Sequence, residues 1–118
     1  MGAPVAYFEV ISGDHERAQR FYSELFDWTA EADPSMGGYA MIDTGNGDGA
    51  VSGGIGPASP EDGPGVRIYV RVDDLDTYLA KAEKLGGTTI VPPMDLPGGY
   101  GRIALFGDPD GNRVGLWS

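Results

Sequence analysis

Tyr7 and Glu9 stand two residues apart in the run VAYFEVI (5–11), and Arg67, Tyr69 and Arg71 repeat that spacing in VRIYVRV (66–72). On a β-strand, period-two spacing puts alternate side chains on one face. Arg113, Gly115 and Trp117 continue the pattern near the C-terminus. A guanidinium such as Arg67 can anchor an anionic or carbonyl group, while Tyr7, Tyr69 and Trp117 can stack on a planar ligand. Glu9 or Tyr7 could serve as a general acid or base. The same residues admit a purely structural reading, in which Glu9 pairs with an arginine across the sheet and the aromatics cover apolar surface.

Other chemistries are closed to this sequence. It has no cysteine, so disulfides, thiolate metal sites and thiol nucleophiles are excluded, and a reducing cytoplasm is the expected setting. Its one histidine, His15, falls in the first turn of a predicted helix, where it is expected at the surface. Neither histidine nor serine falls in a pattern that would pair a nucleophile with a base. The glycine-rich stretches Gly45 to Gly49 and Ser52-Gly53-Gly54 lack the Lys-Ser/Thr pair and the helix of a phosphate-binding loop, and read as turns.

The elements that must position the candidates follow from periodicity. After the strand VAYFEVI, Ser12-Gly13-Asp14 supplies a turn and an N-cap, and Ala18, Phe21, Tyr22, Leu25 and Phe26 recur as one buried stripe of a helix from about His15 to Phe26. Short strands are predicted at Asp27 to Glu31, Tyr39 to Thr44 and Ala50 to Gly54, separated by the hairpin signals Pro34-Ser35-Met36-Gly37-Gly38 and Gly45-Asn46-Gly47-Asp48-Gly49. Residues 56–65 (GPASPEDGPG) read as a linker. Then VRIYVRV gives a strand, and Asp73-Asp74 caps a helix carrying Leu75, Tyr78, Leu79, Ala82 and Leu85 before Gly86-Gly87. Strands at Thr88 to Val91, Arg102 to Phe106 and Arg113 to Trp117 complete the chain, the last two separated by the turn Gly107 to Asn112. The pattern βαβββ occurs twice, Asp14 being echoed by Asp74, which reads as an internal duplication.

Length and charge bound the rest. With 118 residues and 41% hydrophobic content, one domain is expected over 1–118, with a first module at about 4–55, the linker at 56–65 and a second module at about 66–118. Apolar stretches are too short to span a bilayer, and Met1-Gly2-Ala3-Pro4 does not open an export signal. Eighteen acidic against eight basic residues give a formal net charge of -10, which repels nucleic acid and anionic membranes. The 20 glycines and nine prolines cluster between apolar segments, so they mark tight turns.

The run Phe8-Glu9-Val10 followed by Asp14, then Phe21-Tyr22 and Leu25-Phe26, resembles the first-module signature of the glyoxalase/bleomycin-resistance/dioxygenase (vicinal oxygen chelate) superfamily. Val70-Arg71-Val72-Asp73-Asp74-Leu75 and Asp108-Pro109-Asp110-Gly111-Asn112, closing on Val114-Gly115-Leu116, resemble its second module. The resemblance implies an α+β fold of two βαβββ modules, with curved mixed sheets forming a cleft and helices outside. It also implies that a His, Gln or Glu early in each first strand and a Glu late in each last strand converge on a divalent ion. Here those positions hold Tyr7 and Arg67, Gly115, and Gly53 or Gly54. Glycine offers no side-chain donor and arginine repels a cation, so no metal and no other cofactor is expected.

The expected function is metal-independent binding of a small molecule, anionic or aromatic, with Tyr7, Glu9, Arg67, Tyr69 and Trp117 as the ligand-binding residues. The alternative is a small lyase, isomerase or other enzyme acting on a carbonyl or carboxylate compound, with Glu9 or Tyr7 as acid or base. A third possibility is one module of an assembly whose cleft a partner chain completes. Exposed strand edges favour a homodimer.

Overall fold

A computed structural model describes residues 2–45, 50–60 and 63–118. Residues 46–49 of the expected Gly45 to Gly49 turn and 61–62 of the expected linker lie outside the described residues. The chain divides into two compact units, Tyr7–Val66 and the residues up to Ala6 with Arg67–Ser118. Among the described residues no helix is long and apolar enough to cross a membrane.

The unit Tyr7–Val66 contains most of β1 (Val5–Ser12), α1 (His15–Phe26), β2 (Thr29–Asp33), β3 (Tyr39–Asp43) and β4 (Gly53–Pro57). Its strands are ordered β2-β3-β4-β1, with β1 and β4 parallel and the other pairs antiparallel. Asp14 caps α1 by accepting from the Arg17 backbone N–H, as the sequence predicts, and the helix ends at Asp27, which takes the left-handed conformation at φ 58°. That cap uses up Asp27 and delays the next strand to Thr29. Val10, Ala40, Ile42 and Ile55 form the buried core, with Phe8, Ala18, Tyr22 and Trp28 packed against it. The Trp28 indole stacks on Tyr22 at 5.9 Å and tilts against Phe8 at 5.4 Å, so Trp28 is a packing residue.

Two further sequence expectations for this unit change. The helix stripe is only partly buried: Ala18 and Tyr22 meet the core, but Phe21, Leu25 and Phe26 are 57%, 57% and 52% exposed. Periodicity identifies an apolar face without specifying its cover. The strand expected at Ala50 to Gly54 instead runs over Gly53–Pro57, so the first two residues of the expected linker are strand. The Gly-Gly-Ile-Gly run here serves close packing, because a Cβ on Gly53 would overlap the Phe8 ring and one on Gly54 or Gly56 the Tyr39 ring.

The other unit holds β5 (Gly65–Arg71, from Arg67 on), α2 (Leu75–Lys84), β6 (Thr88–Asp95), β7 (Arg102–Gly107) and β8 (Arg113–Trp117), ordered β5-β8-β7-β6. Strands β5 and β8 are parallel; β7 pairs antiparallel with both β8 and β6. Asp74 caps α2 by accepting from the backbone N–H groups of Asp76 and Thr77, and Lys81 and Lys84 oppose the helix dipole at the far end. Val72, Leu75, Leu79, Ala104 and Leu116 make its core. β6 runs four residues past the expected Val91, through Pro92-Pro93 to Asp95, with register shifts against β7. Proline is tolerated there because bulges relieve the ladder of its missing N–H.

Candidate functional site

Alternation along β1 separates two chemistries. Phe8 and Val10 face the core beneath α1, leaving Tyr7 and Glu9 on the opposite face. There the Tyr39 hydroxyl, from β3, donates to Glu9 Oε2 at 2.8 Å, and the Tyr7 and Tyr39 oxygens lie 2.8 Å apart. All three side chains are half-buried. Tyr39 reaches this position because β4 carries Gly54, the register partner of Glu9, and the Tyr39 ring and hydroxyl occupy the space that a side chain at Gly54 would need. Gly54 is therefore the last-strand position on the face of Tyr7 and Glu9, whereas Gly53 faces Phe8.

The electrostatics of this group follow from burial beside a carboxylate. Desolvation, then the Glu9 charge and the bonding to Tyr7, push the Tyr39 phenol far above the ordinary phenol range. Desolvation also raises Tyr7, partly offset by its bond to Tyr39. A phenol whose folded pKa is raised stabilises the fold at every pH below the unfolded value and loses that contribution as alkali ionises the unfolded chain. Tyr39 is thus expected to stay protonated until the protein unfolds in alkali. Spectrophotometric titration tests this: Tyr39→Phe should remove no phenolate absorbance from the part of the curve below alkaline unfolding, and loss of one phenol's worth of amplitude there would refute it.

The second unit builds a comparable face from different parts. Tyr69 is 5% exposed and its ring covers Gly115, its register partner on β8, where a Cβ would overlap the ring. The Arg71 guanidinium lies 4.5 Å from the centre of the Trp117 ring, and the Trp117 indole N–H donates to the Tyr100 carbonyl at 2.8 Å. Val70 and Val72 point the other way, into the core with Leu75 and Leu79, so alternation places the half-buried Arg67 with Tyr69 and Arg71. Of the five residues predicted from sequence, Tyr7 and Glu9 belong to one unit and Arg67, Tyr69 and Trp117 to the other. Tyr39 was missed. Its signal is the pair Gly54 and Gly56, spaced to leave one strand face bare for a ring.

These faces do not fit a divalent ion. Among the described residues no three His, Cys, Asp or Glu side chains cluster as ligands. Glycine stands at both last-strand positions, and tyrosine rings cover both. His15 does not stand clear at the surface as expected: its Nε2 would lie 2.8 Å from a Cβ on Gly38, so the half-buried ring packs against that backbone. Elsewhere, the Asp108 carboxylate accepts from the Asn112 side chain and from the backbone of Asn112 and Asp110, which holds its pKa below the usual carboxylate range and fixes the last turn.

Comparison with known proteins agrees with this architecture. The chain is 35% identical to the anthracycline biosynthesis protein DnrV of Streptomyces peucetius over 98% of its own length and 46% of the relative's, so it spans just under half of that protein. It is 29% identical to a glyoxylase-like domain-containing protein of Didymella fabae, covering 92% of this chain and 88% of the other. Among solved structures, methylmalonyl-CoA epimerase from Mycobacterium tuberculosis shares the fold, with a TM-score of 0.66 at 17% identity over 96% of this chain and 85% of that one. The family model of the Glyoxalase/Bleomycin resistance protein/Dioxygenase superfamily matches residues 5–116, and with its two βαβββ modules the chain belongs to that superfamily.

Proposed function

We propose that this protein binds a small molecule without a metal ion, through the β-strand faces that carry Tyr7 and Glu9 in one module and Arg67, Tyr69 and Trp117 in the other. The observation that carries the reading is the tyrosine ring laid over each last-strand glycine, Tyr39 over Gly54 and Tyr69 over Gly115. Each ring fills the space of a ligating side chain with an aromatic surface and a phenol, which suits contact with a planar organic molecule. Elemental analysis after dialysis should find far less than about one zinc, nickel, iron or manganese per chain, and chelator should leave thermal shifts by planar and anionic compounds unchanged. Near-stoichiometric metal that is lost in Glu9→Gln would overturn the proposal.

A catalytic reading draws support from one contact: the Tyr39 hydroxyl fixes Glu9 Oε2 and so orients that carboxylate as an acid or base towards a carbonyl or carboxylate substrate. Turnover of activated carbonyl compounds that persists in chelator and is lost in Glu9→Gln would favour it over binding alone. In either case a cytoplasmic homodimer is the proposed working form, supported by the absence of cysteine and the exposed Phe21, Leu25 and Phe26 on α1. Light scattering at micromolar concentration giving the mass of one chain would exclude that dimer.

A further inference from the structure

Strand β5 ends in an arginine that is held in place while its charge stays unpaired. The Arg71 backbone N–H donates to the Pro4 carbonyl at 2.9 Å, and the next N–H, of Val72, donates to the Trp117 carbonyl at 2.9 Å. The strand end is thus fixed on both edges. Trp117 stands opposite Arg71 in the register of β5 and β8, and the guanidinium lies over its ring, 4.5 Å from the centre. The ring is oriented in turn by its indole N–H, which donates to the Tyr100 carbonyl at 2.8 Å. Glycine is needed beside that bond, because a Cβ on Gly101 would overlap the Ser118 carbonyl oxygen and lie 3.0 Å from Trp117 Nε1. An aromatic ring attracts a cation but neutralises neither its charge nor its N–H donors. Arg71 enters no ion pair among the described residues, whereas Arg102 pairs with Asp95 at 3.0 Å and Arg67 and Arg113 are each engaged in further interactions.

We propose that Arg71, mounted on Trp117, is the anion anchor of the second module and takes the carboxylate of a planar organic acid. The inference rests on the small-molecule-binding reading above and names, for this module, the charged group of the ligand and the residue that holds it. A carboxylate presents two oxygens in one plane, which match the N–H fork of a guanidinium. Arg71 is exposed, so its fork is open to a ligand arriving from solvent. The mount on Trp117 already restricts the side chain, and less freedom is then lost on binding. The formal net charge of -10 repels anions at long range, so a preference for an anion must come from a local contact of this kind.

The test compares benzoate with benzamide, planar probes of equal size that differ in charge, by chemical-shift titration of the intact protein at low salt. Benzoate is expected to bind roughly 10-fold more tightly, the low end of what a charge-assisted hydrogen bond contributes. It should move the Trp117 indole N–H resonance and the Arg71 Nε–H resonance, the latter assigned by its loss in Arg71→Lys. These shifts are read on the unaltered protein and so stand apart from any effect of substitution on folding. Arg71→Lys keeps the positive charge but loses the fork, and should cut the preference for benzoate below about 3-fold with benzamide unaffected. Lys84→Gln, which removes a charge from α2, should leave the preference as it was. Equal binding of the two probes overturns this inference while leaving small-molecule binding intact. So does a preference for benzoate that persists in Arg71→Lys and is lost in Arg67→Lys. Failure of both probes to bind overturns both.

Discussion

Gly115→Ala is expected to cost about 3 kcal/mol of folding stability, and most of that cost should disappear in a Tyr69→Ala background. The backbone at Gly115 has no positive φ, so the penalty does not come from conformation. It comes from the Tyr69 ring, which overlaps the space of the new methyl and cannot move aside cheaply because the residue is 5% exposed. Tyr69→Ala alone will be destabilising through the cavity it leaves. The informative quantity is the double-mutant coupling, and a value under about 0.5 kcal/mol from urea unfolding would mean that ring and glycine do not constrain each other.

The second large effect is expected at Ile55, whose side chain is 0% exposed in the core with Val10, Ala40 and Ile42. Ile55→Ala should cost about 3 to 4 kcal/mol, the sum of lost burial and an uncollapsed cavity. Collapse is resisted on both sides, since the strand carrying Ile55 pairs with β1 and with β3, and the Gln19 side-chain amide also donates to the Ile55 carbonyl at 2.9 Å. Ile55→Val should cost only about 1 kcal/mol. A loss below about 1 kcal/mol in the alanine variant would show that the core is more compliant than this arrangement implies.

Much of the frame was legible in the sequence because its signals are local. Asp14 and Asp74 stand where helix caps must stand, and the alternation in VAYFEVI and VRIYVRV correctly separates Tyr7 and Glu9 from Phe8 and Val10, and Tyr69 from Val70 and Val72. The misplaced bounds of β4 and β6 have one physical origin. Glycine and proline report a permitted backbone without saying why it is needed, so Gly53–Pro57 read as the end of a strand and the start of a linker, while Pro92-Pro93 appeared to stop β6. Tyr39 escaped for the complementary reason. Its importance lies in reaching across to Gly54 and Glu9, a partnership between distant segments that no period in the sequence encodes.

The two covered glycines also tell the modules apart. In the second module the ring comes from β5, from the residue directly paired with Gly115. In the first module the residue paired with Gly54 is Glu9, and the covering ring comes from β3 instead. Tyr39 and Tyr69 thus stand at non-equivalent positions of the two modules. The rings reach their glycines by different strand pairings, so substitution at Tyr39 uncovers Gly54 without altering the β5–β8 pair in which Tyr69 covers Gly115.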